Sequence, residues 1–245
     1  MADIHFHLER PGPRARYIVR HLLGRMTNWA VEEVEDIDAF RFIDGPKLVY
    51  GSTEVTGAFQ IVPDGLLERP GTTTVDPAME NWGTLPVLFP VAHGGVPFDV
   101  FAASFFLLSR YEEMLPIACD VHGRPLTSAL HAARNGYLQR PIVDEWLIAM
   151  VETWRAVDPR IPPLMRTYAQ VATLDVDNGA MYTGREWWRT LGGATRDLLN
   201  GKASRIKYRI AVLTDRRSDP YRVHEEFVAM AKRNGARAIV NFLLA

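Results

Sequence analysis

The sequence predicts an α/β protein of two domains. Apolar runs typical of strands alternate with segments in which apolar residues recur at helical spacing, and a proline-rich break at residues 158–163 separates two such regions. The chain has 245 residues, 47% of them apolar and 23% charged, which suits one large core or two smaller ones. We therefore predict an N-terminal mixed α/β domain at residues 1–163 and a second domain at residues 164–245.

The first domain opens with a helix followed by strands. Apolar side chains at helical spacing predict a helix over residues 14–25, and short apolar runs predict strands at residues 29–34 and 47–50. Residues 56–96 are rich in Gly and Pro, which indicates loops and short strands.

Two longer helices are predicted next. Asp99 is suited to cap a helix over residues 100–113, which is apolar nearly all round and is therefore expected to be central and buried. Residues 142–157 present apolar side chains on one face and predict a second helix.

The second domain begins with a strand that leads into two aspartates. The apolar run at residues 168–174 predicts a buried strand, and Asp175 and Asp177 follow it. The elements predicted after it are helical segments and a further strand, at residues 186–199, 206–213, 221–233 (capped by Asp219-Pro220) and 238–244. This βαβ pattern implies parallel strands, whose carboxyl ends are where catalytic residues of such folds lie.

Charge and cysteine content exclude several classes of function. The formal net charge is −1 and the pI about 6.7, so the chain lacks the basic excess that supports binding to nucleic acid or to anionic membranes, and neither partner is expected. Cys119 is the single cysteine, which leaves no intramolecular disulfide and no thiolate zinc cluster. Without a signal-like N-terminus or a long apolar segment, we expect a cytoplasmic protein.

The two aspartates are the principal candidates for a functional site. Because strand side chains alternate, Asp175 and Asp177 point to the same side if the strand continues, and two carboxylates then reach one cation. Oxygen ligands suit a hard or borderline divalent metal. Two alternatives stay open at this point: the aspartates only cap a turn made by Asn178-Gly179, or they form the D-x-D site of a metal-dependent glycosyltransferase.

Other polar and aromatic groups favour structural roles. Charged residues beside the two apolar helices are expected to form salt bridges that fix the helices rather than a binding surface: Arg110, Glu112, Glu113, Arg140, Asp144 and Glu145. Trp187-Trp188 is a possible platform for a sugar ring, but adjacent helical residues face different ways, which favours a core role. The seven histidines are scattered and show no spacing typical of metal ligands.

Three blocks of the sequence, at residues 98–113, 135–146 and 173–178, carry a family resemblance. They read FDVFAASFFLLSRYEE, NGYLQRPIVDEW and TLDVDN, and together they resemble bacterial polysaccharide-deacetylase-like proteins that carry an uncharacterised N-terminal domain. Leu191-Gly192-Gly193 and Asp219-Pro220-Tyr221 are similar as well. The resemblance extends over essentially the whole chain.

The resemblance implies a distorted (β/α) barrel in which a divalent metal, commonly zinc, activates water to attack the N-acetyl carbonyl of a carbohydrate. It implies that Asp175 is the general base and Asp177 a metal ligand. Val176 separates the two aspartates, which are adjacent in the usual motif, and the H-x-x-x-H pair of metal-binding histidines is not found in this sequence.

We therefore expect the N-terminal portion of a deacetylase, with only the first βα units of an incomplete barrel and no turnover as residues 1–245. The competing expectation is a non-catalytic binding or assembly module.

Overall fold

A computed structural model describes residues 3–184 and 186–243 and divides the chain into two compact units between Met165 and Arg166. The predicted α/β class is confirmed, since parallel and antiparallel strands alternate with helices. The described strands form three separate sheets, of four, two and two strands.

The first unit contains six strands and five α-helices within the described residues. Its strands are β1 (Ile4–Leu8), β2 (Val31–Glu33), β3 (Lys47–Tyr50), β4 (Phe59–Ile61), β5 (Met79–Trp82) and β6 (Leu85–Leu88). Its α-helices are α1 (Pro13–Arg20), α2 (Ile37–Arg41), α3 (Val100–Leu108), α4 (His131–Arg134) and α5 (Ile142–Val157).

The main sheet of the first unit is fully parallel, in the order β2-β1-β3-β4. Strand β1 lies inside this sheet and was not among the predicted elements, although Ile4, Phe6 and Leu8 alternate with His5 and His7 at the spacing of a strand. The buried face of β1 contributes Ile4 and Phe6 to the core, and the His7 ring bonds through Nδ1 to the Val34 carbonyl at 2.8 Å. Strand β5 pairs with β6 in an antiparallel hairpin.

The core of the first unit forms where α3 and α5 pack against the main sheet. All of α3 from Val100 to Phe106 is buried, and α5 has the predicted bounds. The Trp154 ring of α5 stacks on Phe59 of β4 at 5.3 Å, and Trp146 Nε1 donates to the Pro86 carbonyl at 2.8 Å. Each large apolar side chain buried in this way contributes roughly 1.5–3 kcal/mol.

Helix α3 is shorter than predicted. It ends at Leu108, not at residue 113, because Arg110 adopts a left-handed backbone conformation (φ +54°) and a 3₁₀ turn follows at Tyr111–Met114. A left-handed residue cannot continue a right-handed helix.

The N-terminus of α3 is held by a fully buried carboxylate, Asp99. Its Oδ1 accepts from the Ala102 N–H at 2.9 Å, and its Oδ2 accepts from the Tyr50 hydroxyl and from the Asp64 N–H, each at 2.8 Å. Burial raises the pKa of the Asp99 carboxyl to about 6, although these three hydrogen bonds oppose the shift.

The second unit contains two parallel strands with three helices between them. These elements are β7 (Val171–Val176), α6 (Trp187–Leu199), α7 (Ala203–Leu213), α8 (His224–Arg233) and β8 (Arg237–Phe242). Of the predicted last strand, residue 244 lies outside the described residues. None of the helices within the described residues is both long and apolar enough to cross a membrane.

Two predictions for this unit were wrong in detail. Strand β7 is not buried, because its residues alternate between exposed and half-buried and Tyr168 before it is exposed. Helix α8 covers one face of this two-stranded sheet, and on the other face Val171, Thr173 and Asp175 of β7 are exposed. The helix predicted from residue 221 begins at His224 as α8, and Asp219 does not cap it.

We predict that Asp99→Asn destabilises the first unit by about 1–3 kcal/mol. Whichever carboxylate oxygen the Asn NH2 group replaces, it faces a hydrogen-bond donor and leaves that donor without an acceptor. Urea unfolding followed by tryptophan fluorescence measures this loss. Asp44→Asn, at an exposed position, is the control and is expected to change stability by less than about 0.5 kcal/mol.

The pKa of Asp99 also predicts the pH dependence of stability. Since its pKa is higher in the folded state than the ordinary value of 3.8, its contribution is fully present below pH 3.8 and is lost as the pH rises through about 6. Carboxyl ¹³C NMR titration measures this pKa directly, and an ordinary value near 4 would contradict the prediction.

Candidate functional site

The carboxyl ends of β7 and β8 bring together an acidic and an amide side chain. The two strands pair in register so that Asp175 lies opposite Asn241. The Nδ2 group of Asn241 donates to Oδ1 of Asp175 at 2.9 Å. This bond orients the carboxylate through a single oxygen and leaves Oδ2 outside the contact.

Asp175 and Asn241 lie on the face of the sheet opposite to α8. Val176 and Phe242 are paired one position further on and therefore point to the other face. The His224 ring, at the start of α8, packs edge-on against Phe242 with ring centroids 5.8 Å apart, which places the helix on that face. Both Asp175 and Asn241 are exposed to solvent.

Asp177 lies in the bend that directly follows β7 and is also exposed. Two carboxylates and one amide oxygen at a strand end can accept protons from water or contact a hard cation. No group of three or more His, Cys, Asp or Glu side chains with metal-binding geometry occurs within residues 3–184 and 186–243.

The loop after these aspartates is fixed by Asp219, a buried residue whose role the sequence did not reveal. Its Oδ1 accepts from the Met181 N–H at 2.8 Å and the Tyr221 N–H at 3.0 Å. Its Oδ2 accepts from the N–H groups of Tyr182 and Thr183 at 2.7 and 3.2 Å. Burial alone raises the pKa of this carboxyl, but the four backbone donors outweigh it and hold the pKa at about 2.

A buried ion pair supports the same loop from the helices. Arg209 of α7 donates through Nη2 to Oδ2 of Asp197 in α6 at 2.9 Å, and both side chains are largely buried. The Arg209 guanidinium also lies over the Tyr182 ring at 4.8 Å, a cation–π contact. The loop that follows β7 is therefore connected to both helices of the α6–α7 pair.

The charged residues beside α3 and α5 form local pairs. Arg110 donates to Glu113 within the 3₁₀ turn, and Arg140 donates to Glu145 and to the Thr84 carbonyl. Oε2 of Glu112 accepts from the His131 N–H at 2.7 Å. These contacts agree with the predicted structural role: the two ion pairs are local in sequence, while Glu112 and Arg140 also bond to backbone groups of distant segments.

The predicted core role of the tryptophan pair was wrong. Trp187 is 75% and Trp188 52% exposed, and both begin α6. Among the histidines, His131 is buried and its Nδ1 contacts the Tyr137 hydroxyl at 2.7 Å, which is a satisfied structural position.

Fold and site define this class of protein as an α/β protein with two units, each with a parallel sheet. Residues 4–159 match the model of a family described as a family of unknown function, DUF7033, and the chain belongs to that family. The match covers most of the first unit, so the deacetylase resemblance of the second unit rests on the motifs quoted above. No curated protein and no solved structure gives a significant match.

We predict that Asp219→Asn loosens the loop that carries its hydrogen bonds, because each carboxylate oxygen accepts from two N–H donors and Asn replaces one of these oxygens with an NH2 group, which cannot accept. Amide hydrogen exchange at Met181, Tyr182 and Thr183 is expected to accelerate about 5-fold or more. Asp215→Asn is the matched control, since Asp215 is exposed and Asn tolerates its left-handed backbone (φ +52°). Unchanged exchange at these three amides would contradict the anchoring role.

The depressed pKa of Asp219 sets the sign of the pH effect. Because the folded value of about 2 is below the ordinary value of 3.8, the contribution to stability is present above pH 3.8 and is lost as the pH falls towards 2. We expect protection of the same three amides to decrease over that interval in the wild type and to change less in Asp219→Asn.

Proposed function

We propose that the second unit contributes the opening strands of a metal-dependent deacetylase site for N-acetylated carbohydrates. The observation that carries this proposal is the position of Asp175 and Asn241, hydrogen-bonded to each other at the carboxyl edge of two parallel strands. Active sites of (β/α) barrels are built at that edge. The sequence resemblance independently supports the same two roles for the aspartates.

The covered and open faces of the sheet favour this proposal over a simple turn cap. In a (β/α) barrel the helices cover the outer face of the strands, and inward-facing side chains at the strand ends carry the chemistry. Helix α8 lies on one face, while Asp175 and Asn241 project from the other. A residue that only capped the following turn would not need a partner on the neighbouring strand.

In the proposed site each residue has a separate task. Asp175 is the general base that takes a proton from the attacking water, and the amide of Asn241 fixes the orientation of its carboxylate. Asp177 is the metal ligand. A divalent ion held there would lower the pKa of a bound water and polarise the acetyl carbonyl.

The donor set of the described residues does not complete a catalytic zinc site. Such sites use three protein ligands, usually including histidine, whereas the strand end offers two carboxylates and an amide. Oxygen donors of this kind fit a hard or borderline cation better than they fit zinc. The role of Asp177 is therefore tested by ion binding alone.

Isothermal titration with Zn²⁺ and Mn²⁺ tests the proposal. We expect saturable heat from the wild type, loss of that heat in Asp177→Ala, and retention in Asp175→Asn, because a base is not required for binding. Glu226→Ala, which removes an exposed carboxylate from α8, is the matched control and should bind as the wild type does. Absence of heat from either ion, or an equal loss in Glu226→Ala, would favour the non-catalytic module instead.

A further inference from the structure

Helix α6 exposes an apolar stripe along its whole length. Its large apolar side chains are between 52% and 83% exposed, and they are Trp187, Trp188, Leu191, Leu198 and Leu199. With 3.6 residues per turn, these five positions fall within about 120° of the helix circumference. Contiguous exposed apolar surface of this kind marks an interaction site.

The polar side of α6 faces its neighbour instead of solvent. Asp197 is buried and paired with Arg209 of α7, and Gly193 lies so close to Arg209 that an added Cβ would be 2.7 Å from the guanidinium. The Thr190 carbonyl accepts from Arg209 as well. Among the described residues, this helix therefore packs through its polar face and leaves its apolar face open, the reverse of an ordinary surface helix.

The segment that includes this stripe is strongly basic. Residues 187–217 contain eight Lys and Arg and two Asp, a net charge of +6, whereas the whole chain has −1, so the remainder carries −7. Most of these cations are exposed. No membrane partner was expected because the chain as a whole is nearly neutral. That average conceals the excess of positive charge at residues 187–217.

A polar cavity of about 480 Å³ lies between α6 and α7, on the side of α6 opposite to the stripe. It is lined by Arg196, Lys202, Arg205 and Arg209, with Asp197 as the single acid. The Nε atom of Arg209 is buried and has no hydrogen-bond partner among the described residues. The cavity is thus electropositive and large enough for a phosphate group.

We infer that the α6–α7 helical pair docks on the surface of an anionic lipid bilayer. Tryptophan and leucine side chains on one face, with arginine and lysine beside them, are the composition of helices that lie in the membrane interface. The apolar stripe would enter the boundary between headgroups and acyl chains, while the cations contact lipid phosphates. Helix α6 has 13 residues, too few to cross the bilayer, so the attachment is peripheral.

Charge complementarity selects this occupant. A second copy of the chain that docked through the same stripe would set one +6 segment against another, and like charges across an interface are repulsive. The phosphates of a nucleic acid would pair with the cations, but the five apolar side chains would remain exposed to water. An anionic bilayer buries the apolar side chains and pairs the cations with lipid phosphates.

Flotation of the full chain with lipid vesicles tests the inference. We expect binding to vesicles of phosphatidylcholine mixed with phosphatidylglycerol, little binding to phosphatidylcholine alone, and weaker binding as salt screens the charges. The fluorescence of Trp187 and Trp188 is expected to shift to the blue on binding, and the shift should disappear in Trp187→Phe with Trp188→Phe.

Matched variants separate the apolar and the basic contributions. Lys202→Gln with Arg205→Gln and Lys207→Gln is expected to lower partitioning on the order of 100-fold, since each cation near an anionic surface contributes roughly 5-fold. Arg25→Gln with Arg69→Gln and Arg155→Gln removes three exposed cations from the first unit and should leave binding unchanged. Leu198→Gln with Leu199→Gln should abolish binding, whereas Phe42→Gln, at a residue 88% exposed in the first unit, should not. Circular dichroism verifies the fold of each variant.

Several results would overturn the inference. These are equal binding to neutral and anionic vesicles, no binding to either, or anionic binding that the α6 and α7 variants do not change. Sedimentation velocity gives a further arm: a dimer that dissociates in Leu198→Gln with Leu199→Gln, without vesicle binding, would assign the stripe to a second copy of the chain.

Discussion

The first unit depends on one buried carboxylate. Asp99 receives hydrogen bonds from β3, from the segment after β4 and from the first turn of α3, so a single side chain joins the sheet to the most buried helix. A carboxylate is suited to this position because it accepts all three bonds and donates none. Its burial is costly, which is why its pKa rises, and the position of α3 is specified by that polar contact as well as by apolar packing.

The sequence was informative where one period of apolar residues dominated. Helix α5 has the predicted bounds because its apolar face is uninterrupted, and β3 has them because it is a short apolar run between turns. Strand β1 was not predicted although its apolar residues have the period of a strand, since five residues at the start of the chain give only two repeats of that period. The early end of α3 depends on the left-handed conformation of Arg110, which no local residue pattern indicated.

Only part of the candidate site could be predicted from the sequence, because the rest depends on residues that are distant along the chain. Asp175 and Asp177 could be found because they lie at the end of an apolar run. Asn241 is 66 residues from Asp175, and Asp219 is 36 to 38 residues from the loop amides that it binds. The Asp-Pro pair at 219 was mistaken for a cap because that is its commonest local role. The tryptophans were assigned to a core because their two directions were taken to require two partners, whereas both fit within one broad exposed stripe.

The basic segment at residues 187–217 also changes what the isoelectric point describes. A pI of about 6.7 is here an average over a segment with a net charge of +6 and a remainder with −7. The near-neutral value therefore describes the local charge of neither part. At neutral pH such a chain adheres to both cation and anion exchangers at low ionic strength. Unlike regions of neighbouring molecules then attract one another, so its solubility is governed by salt more than by distance from the isoelectric point.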